Sequence, residues 1–154
     1  MKLPEVVILC GGMGTRLREE TEFLPKPLVS IGGKPILWHI MKLYSFYGFN
    51  RFVLCLGYKG EKIKDYFYNY ELFNSNFTFD FANGKNVTFH DDVREREWRV
   101  TMVDTGANTL KGARVKKIER FVESDNFMLT YGDGVANLDL LRLYRFHLEH
   151  GKIG

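Results

Sequence analysis

Apolar and polar residues alternate along the chain in short blocks of two kinds. Val6-Val7-Ile8-Leu9-Cys10 is an unbroken apolar run closed by Gly11. A run of that length, rich in β-branched residues, predicts a strand buried on both faces, as in a parallel sheet. Pro35 then stands where a first helical residue would, Ile36, Leu37, Ile40, Met41, Tyr44 and Tyr47 recur at helical spacing, and Gly48 follows as a stop. This predicts a helix over 35–47. Phe52 to Leu56, closed by Gly57, predicts a second buried strand, and Ile63, Tyr66, Phe67 and Tyr70 predict a second amphipathic helix over 60–71.

From Asn76 to Asp104 the pattern changes to strict alternation: Phe77, Phe79 and Phe81, then Val87 and Phe89, then Val100 and Met102, with Asn83-Gly84 as a turn signal. Shorter strands are expected here, with antiparallel pairing open to them. Lys111 to Val122 reads as a helix with a basic face, and Asn126 to Tyr131 as another buried strand. Asn137 to His150 reads as a helix capped by Asn137, with Leu138, Leu141, Tyr144 and Leu148 on one side. Strands alternating with helices predict an α/β fold, a doubly wound, mostly parallel, Rossmann-like sheet.

Composition narrows the class. With 154 residues, 45% hydrophobic and 27% charged, the chain has the material of one globular domain, since domains run at roughly 100–200 residues. A formal net charge of +3 is too small to indicate a nucleic-acid partner. No apolar stretch approaches the ~20 residues of a membrane span, and Val6 to Cys10 is too short for the apolar core of a signal peptide, so a cytoplasmic location is expected. Two acceptor-type sequences at Asn76 and Asn86 carry no weight without a secretion signal. Cys10 and Cys55 sit inside apolar runs, as reduced, buried thiols do.

Candidate chemistry clusters at the ends of the predicted strands. Gly11-Gly12-Met13-Gly14-Thr15-Arg16-Leu17 follows the first strand directly, where glycines let backbone N–H groups approach phosphate oxygens. No Gly-Lys-Ser/Thr follows, which excludes a Walker loop, and Leu17 takes the place of the third glycine of the dinucleotide fingerprint. A plain strand-to-helix turn would use the same glycines; Arg16 favours phosphate. In Pro25-Lys26-Pro27-Leu28 two prolines fix the backbone around one lysine, which suits a preset cation or simply a rigid loop. Tyr131-Gly132-Asp133-Gly134 ends a strand with a carboxylate between two glycines. That suits magnesium, which is held by one or two carboxylates plus substrate phosphates, or a tight turn in which Asp133 bonds its own backbone. Thr109, Lys111, Gly112 and Arg114 lead from a polar loop into the basic helix, most of whose charges suit a solvated face. The four histidines read as structural or solvated.

The glycine signature followed by Pro25-Lys26-Pro27 resembles that of the sugar-phosphate nucleotidyltransferases, which make nucleotide sugars. The runs Ile31 to Lys42, Gly57-Tyr58-Lys59-Gly60, Val103 to Gly106 and Tyr131 to Ala136 are similar to the cytidylyl-transferring branch of that family that acts on glucose 1-phosphate. The resemblance covers essentially the whole chain. It implies synthesis of CDP-glucose from CTP and α-D-glucose 1-phosphate, with release of pyrophosphate, feeding dideoxy-sugar assembly for surface polysaccharide.

Carried onto this sequence, the resemblance implies that Leu9, Cys10, Gly11 and Gly12 meet the cytosine largely through backbone, that Met13, Gly14, Thr15 and Arg16 wrap the triphosphate, and that Lys26 binds phosphate at the reacting centre. Thr109, Arg114 and Gly132 fall at further nucleotide positions, and Asp133 would hold Mg2+. Arg16 and Lys26 are the expected catalytic cations. Leu24 replaces a lysine common in the family at that place. Family members continue further, so residues 1–154 are expected to be the nucleotide-binding part of a single domain whose sugar-binding segments and second metal aspartate lie beyond it. The wide aromatic arc of the helix at 60–71 suggests a contact with another subunit, and a homo-oligomer is expected. Two rivals remain at this level: a thymidylyl- or uridylyltransferase of the same family, and a non-catalytic nucleotide-binding fragment.

Overall fold

A computed structural model describes residues 3–12, 23–82, 84 and 86–153. Its centre is a parallel sheet of β1 (Val6–Leu9), β4 (Arg51–Leu56), β7 (Arg99–Asp104) and β8 (Met128–Tyr131), in the order β7-β4-β1-β8. β1 pairs with β4 on one side, Val6 opposite Phe52, and with β8 on the other, Val6 opposite Met128. The chain therefore winds outward from β1 through β4 to β7, then returns past β1 to lay down β8. The reversal opens a crevice at the carboxyl ends of β1 and β8, the place where doubly wound sheets receive ligands.

Alternate side chains of β1 and β4 serve two different cores. Val6, Ile8, Phe52, Leu54 and Leu56 face a large core with α1 (Ile36–Phe46), which contributes Leu37, Ile40, Met41 and Tyr44; Ile63 of α2 (Gly60–Tyr68) and Leu140 and Tyr144 of α5 (Leu140–His150) complete it. Val7, Val53 and Cys55 face a smaller core closed by Ile118, with Phe121 and Val122 at its margin. Ile118 follows α4 (Lys111–Lys117), and Phe121 ends the 3-10 turn Glu119–Phe121. Fully burying a side chain such as Leu37 or Ile8 is worth about 1.5–3 kcal/mol. Covering both faces of β1 and β4 is what an unbroken apolar run requires.

Smaller elements adjust the predicted boundaries. Pro35 precedes α1 with extended backbone (φ −58°, ψ 147°) instead of opening the helix. It pairs within a two-residue hairpin of β2 (Ser30–Ile31) and β3 (Lys34–Pro35), whose turn is Gly32-Gly33 at φ +58° and +81°. Both turn residues sit in the left-handed region that only glycine enters cheaply. The helix expected over 60–71 is two helices, α2 and α3 (Tyr70–Asn74), separated at Asn69. β5 (Phe77–Asp80) and β6 (Asn86–Phe89) form the antiparallel ribbon that the alternation suggested; Asn83, in its predicted turn, lies outside the described residues.

β7, by contrast, is a parallel edge strand of the main sheet, not part of a separate antiparallel set. The helix expected over 111–122 ends at Lys117 and continues as the 3-10 turn. The last helix begins at Leu140, and its cap is Asp139, not Asn137: the Asp139 carboxylate accepts from the Arg142 N–H at 2.9 Å. β8 is half-exposed, with Leu129 and Tyr131 each 51% exposed, so the expectation of a fully buried strand does not hold there. Among the described residues no helix is long and apolar enough to cross a membrane.

Candidate active site

A cleft of about 360 Å³ opens at the carboxyl ends of the strands. Its floor is Leu9 to Gly12, the end of β1 and the loop after it. One wall is the segment Ala107 to Lys111 with Arg114, and the other is Lys26-Pro27 with Tyr131 and Asp133. Residues nominated from four separate stretches of sequence thus meet at one place. Leu9, Cys10, Gly11, Gly12, Lys26, Thr109, Arg114 and Asp133 all line the cleft. Gly132 does not. It is buried beside the floor, donating to the Leu9 carbonyl at 3.0 Å, and a Cβ there would lie 2.9 Å from Cys10 Sγ and 3.0 Å from Pro27 Cγ. Met13, Gly14, Thr15 and Arg16 lie outside the described residues.

Local structure explains how each group is held. Lys26 begins a 3-10 turn, Lys26–Leu28, entered from the extended Pro25 and carrying Pro27 in its first positions. The backbone is set before any ligand arrives, and the Lys26 ammonium donates to Asp133 Oδ2 at 3.4 Å across the mouth of the cleft. On the opposite wall, the Asp104 carboxylate accepts from the Gly106 N–H at 2.9 Å, and the Thr109 hydroxyl donates to the Thr105 carbonyl at 2.6 Å. Gly106 lies at φ +93°, and a Cβ on it would stand 2.9 Å from Thr109 Oγ1, so only glycine fits the turn. Lys117 Nζ closes the loop from below, donating to the Thr105 carbonyl at 2.8 Å and to Thr109 Oγ1 at 3.2 Å.

Electrostatics differ at the two ends of the sheet. At the amino ends, Arg51 pairs with the buried Glu5 at 2.6 Å and with Glu123 at 3.0 Å. At the carboxyl ends, Arg114 is 5% exposed and donates only to neutral acceptors: the carbonyls of Leu56, Gly11 and Ala107 at 3.0 Å and the Thr105 hydroxyl at 2.7 Å. No carboxylate among the described residues pairs with it. A buried cation without a counter-charge is costly, and it leaves the cleft with a positive bias that an anionic ligand offsets. Lys111 adds to it from the rim, its ammonium 5.1 Å above the Tyr131 ring.

Burial holds the thiols neutral. It pushes the Cys10 thiol far above the ordinary range, with Cys55 and Asp133 acting in the same direction, and pushes Cys55 up to about 11 although the nearby Arg114 opposes this. Cys10 therefore belongs to the floor as a small apolar residue and not as a nucleophile. No cluster of three or more His, Cys, Asp or Glu among the described residues is arranged to hold a metal, which leaves Asp133 as a lone carboxylate at the cleft mouth.

Sequence reasoning missed Ala107, Asn108 and Leu110 as parts of the wall. The available signal was Leu110, an apolar residue with no helical partner, which is 82% exposed immediately before α4.

The sequence matches the nucleotidyl transferase family over residues 5–154. It is 52% identical over 149 residues to the glucose-1-phosphate cytidylyltransferase of Salmonella typhimurium, covering 96% of this chain and 57% of that protein. To the probable glucose-1-phosphate cytidylyltransferase of Bacillus subtilis it is 47% identical over 147 residues, with the same coverage. Among solved structures it is similar to HddC from Yersinia pseudotuberculosis complexed with GMP-PN, with a TM-score of 0.69 and 26% identity, over 96% of this chain and 55% of that one. The chain spans little more than half the length of the curated relatives it matches. Glycine loop, proline-flanked lysine and strand-end aspartate meet at the switch point of a doubly wound sheet, and with a family match over nearly every residue the chain belongs to the nucleotidyl transferase family.

Proposed function

We propose that this chain forms the nucleotide-binding part of a glucose-1-phosphate cytidylyltransferase. The observation that carries the reading is the net positive charge of the cleft: buried Arg114, with no carboxylate partner among the described residues, beside Lys111 and the Lys26–Asp133 pair. A triphosphate is the ligand class that such a field selects. Cytidine as the base is supported by the 47–52% identity to cytidylyltransferases, against 28% to a UTP–glucose-1-phosphate uridylyltransferase of Synechocystis.

In the reaction, an oxygen of glucose 1-phosphate attacks the α-phosphorus of CTP. The new P–O bond forms as the α–β phosphoanhydride bond breaks, and pyrophosphate leaves with the electron pair. Nothing covalent is asked of the protein, whose task is positioning and charge stabilisation. Leu9 to Gly12 and Thr109 set the nucleoside in the cleft. Lys26, and on the family resemblance Arg16, offset charge on the phosphate oxygens and on the leaving pyrophosphate, and Arg114 adds a fixed charge to the cleft. Mg2+ fits the donor set, because a single exposed carboxylate at a phosphate site is how this ion is usually held. Asp133 would hold it, and the ion would supply Lewis-acid stabilisation of the phosphates. The exposed aromatic residues Phe79, Phe81 and Tyr68 support assembly into a homo-oligomer, and the absence of a spanning helix among the described residues fits a cytoplasmic enzyme.

The test is pyrophosphate release by the protein expressed from its whole reading frame, with magnesium and glucose 1-phosphate, comparing CTP with UTP, dTTP, ATP and GTP. Release with CTP well above the others is expected. Preference for UTP or dTTP would keep the mechanism and change the substrate. A folded protein that releases pyrophosphate with none of them would be a nucleotide-binding module.

A further inference from the structure

The end of the sheet remote from the cleft holds a buried carboxylate of which only one oxygen is matched. Glu5, immediately before β1, is 3% exposed, and its Oε1 pairs with Arg51 Nη1 at 2.6 Å. Its Oε2 is buried with no hydrogen-bond partner among the described residues. A carboxylate oxygen is a strong acceptor, and leaving one unmatched in the interior is costly.

Arg51 cannot supply the missing donor. Its Nη1 also donates to Glu123 Oε2 at 3.0 Å, and its Nη2 donates to the Leu3 carbonyl at 2.8 Å and to the Ser124 hydroxyl at 3.2 Å. Each terminal nitrogen of a guanidinium carries two protons, so all four outer N–H groups are taken.

A cavity of about 20 Å³ gives independent support. It lies at the edge of the small core, between Val53 and Phe121, and Glu5, Arg51, Arg99 and Thr101 share its lining. One water needs about 10–15 Å³ of such space and two to four polar partners. Charge narrows the occupant further. A cation would face two guanidinium groups, and an anion would face the unmatched carboxylate oxygen. Glu123, paired with Arg51 and 3.7 Å from Arg99, leaves these four side chains with no net charge. What fits is a neutral hydrogen-bond donor no larger than one solvent molecule.

We propose that this cavity is the site of a single structural water, which donates to Glu5 Oε2 and bonds the Thr101 hydroxyl. The water completes a fastening of three strands: Glu5 leads into β1, Arg51 opens β4 and Thr101 lies on β7. It is independent of the substrate assigned to the cleft.

A high-resolution crystal structure of the protein expressed from its whole reading frame reads the site directly. Density for one water within hydrogen-bond distance of Glu5 Oε2 is expected. Two variants read it in solution through their thermal midpoints. Thr101→Val keeps the shape and removes the hydroxyl, and Thr101→Ile adds one carbon to the same space. In a dry cavity that carbon fills a void, so Thr101→Ile melts above Thr101→Val. In a wet one it displaces the water and strands the carboxylate oxygen, and Thr101→Ile is expected to melt about 2–4 °C below Thr101→Val. An empty cavity or a protein group on Glu5 Oε2 overturns the proposal, as does Thr101→Ile melting at or above Thr101→Val. If Thr101→Ile fails to fold, the wild-type crystal structure decides.

Discussion

Lys26 enters the cleft from a backbone fixed by Pro25 and Pro27, and its ammonium faces Asp133 at 3.4 Å. The pair is open to water, with side chains 23% and 42% exposed, and such pairs add at most about 1 kcal/mol to stability. Its value lies in the charge it holds ready. By analogy with removal of one preorganised donor at a developing anion, Lys26→Ala is expected to cost about 2.7–4 kcal/mol of barrier, on the order of a hundred- to a thousand-fold in turnover. The unfolding midpoint should hardly move. Steady-state kinetics beside a thermal melt checks both halves, and near-normal turnover would remove Lys26 from the chemistry.

Which residues assemble was legible from their kinds: glycines, a proline-locked lysine and an aspartate at strand ends need no partner to be noticed. Why Gly11 is glycine was not legible. The sequence suggests room for a phosphate, whereas the structure fills that room with a side chain 103 positions later.

At the scale of elements, periodicity reports which faces are covered, not which neighbour a strand pairs with. The alternation in Arg99 to Asp104 is that of a strand on the rim of the sheet, where Val100 and Met102 pack at the margin of the large core with Tyr66 and Phe67 of α2, and Val103 at the margin of the small one; its parallel partner β4 left no mark on it. The same limit explains β8, whose apolar run suggested burial although two of its four side chains are half-exposed. Helix starts were misplaced for another reason. In Asn137-Leu138-Asp139 two residues are competent caps, and only the chain path selects Asp139. Asp139→Ala should therefore destabilise the protein by about 1 kcal/mol, lowering the thermal midpoint by about 2–4 °C, while Asn137→Ala leaves it unchanged. Differential scanning calorimetry of the two variants distinguishes them.

For the molecule as a whole, the rule that ligands bind at the carboxyl ends of strands points to the edge of the sheet where the structure opens its cleft, because the rule depends on topology alone. Stability at high pH is also a property of the whole. In an unfolded chain the thiols release their protons near their ordinary value of 9.0, but Cys55 in the fold holds its proton up to about 11 and Cys10 beyond that. Burial likewise raises Tyr66 to about 12, with Glu95 adding to the effect, and Tyr70 further. Each folded-state value lies above its unfolded value, so this contribution is fully present below pH 9 and is lost as the pH rises through 11. Urea midpoints measured at pH 8, 9, 10 and 11 are expected to fall across the upper part of that range, and Cys55→Ala should flatten the fall. A flat profile in the wild type would show the thiols to be accessible.

The guanidinium that joins β1, β4 and β7 also orders events in time. During synthesis β1 and β4 leave the ribosome well before residue 114, and β7 with Thr105 precedes it by only a few residues. Contacts across about a hundred positions carry a closure cost that local pairing does not. Gly11 at the end of β1, made early, is therefore among the last of the described cleft residues to take its final place, because the floor is latched to the wall only once residue 114 has been added.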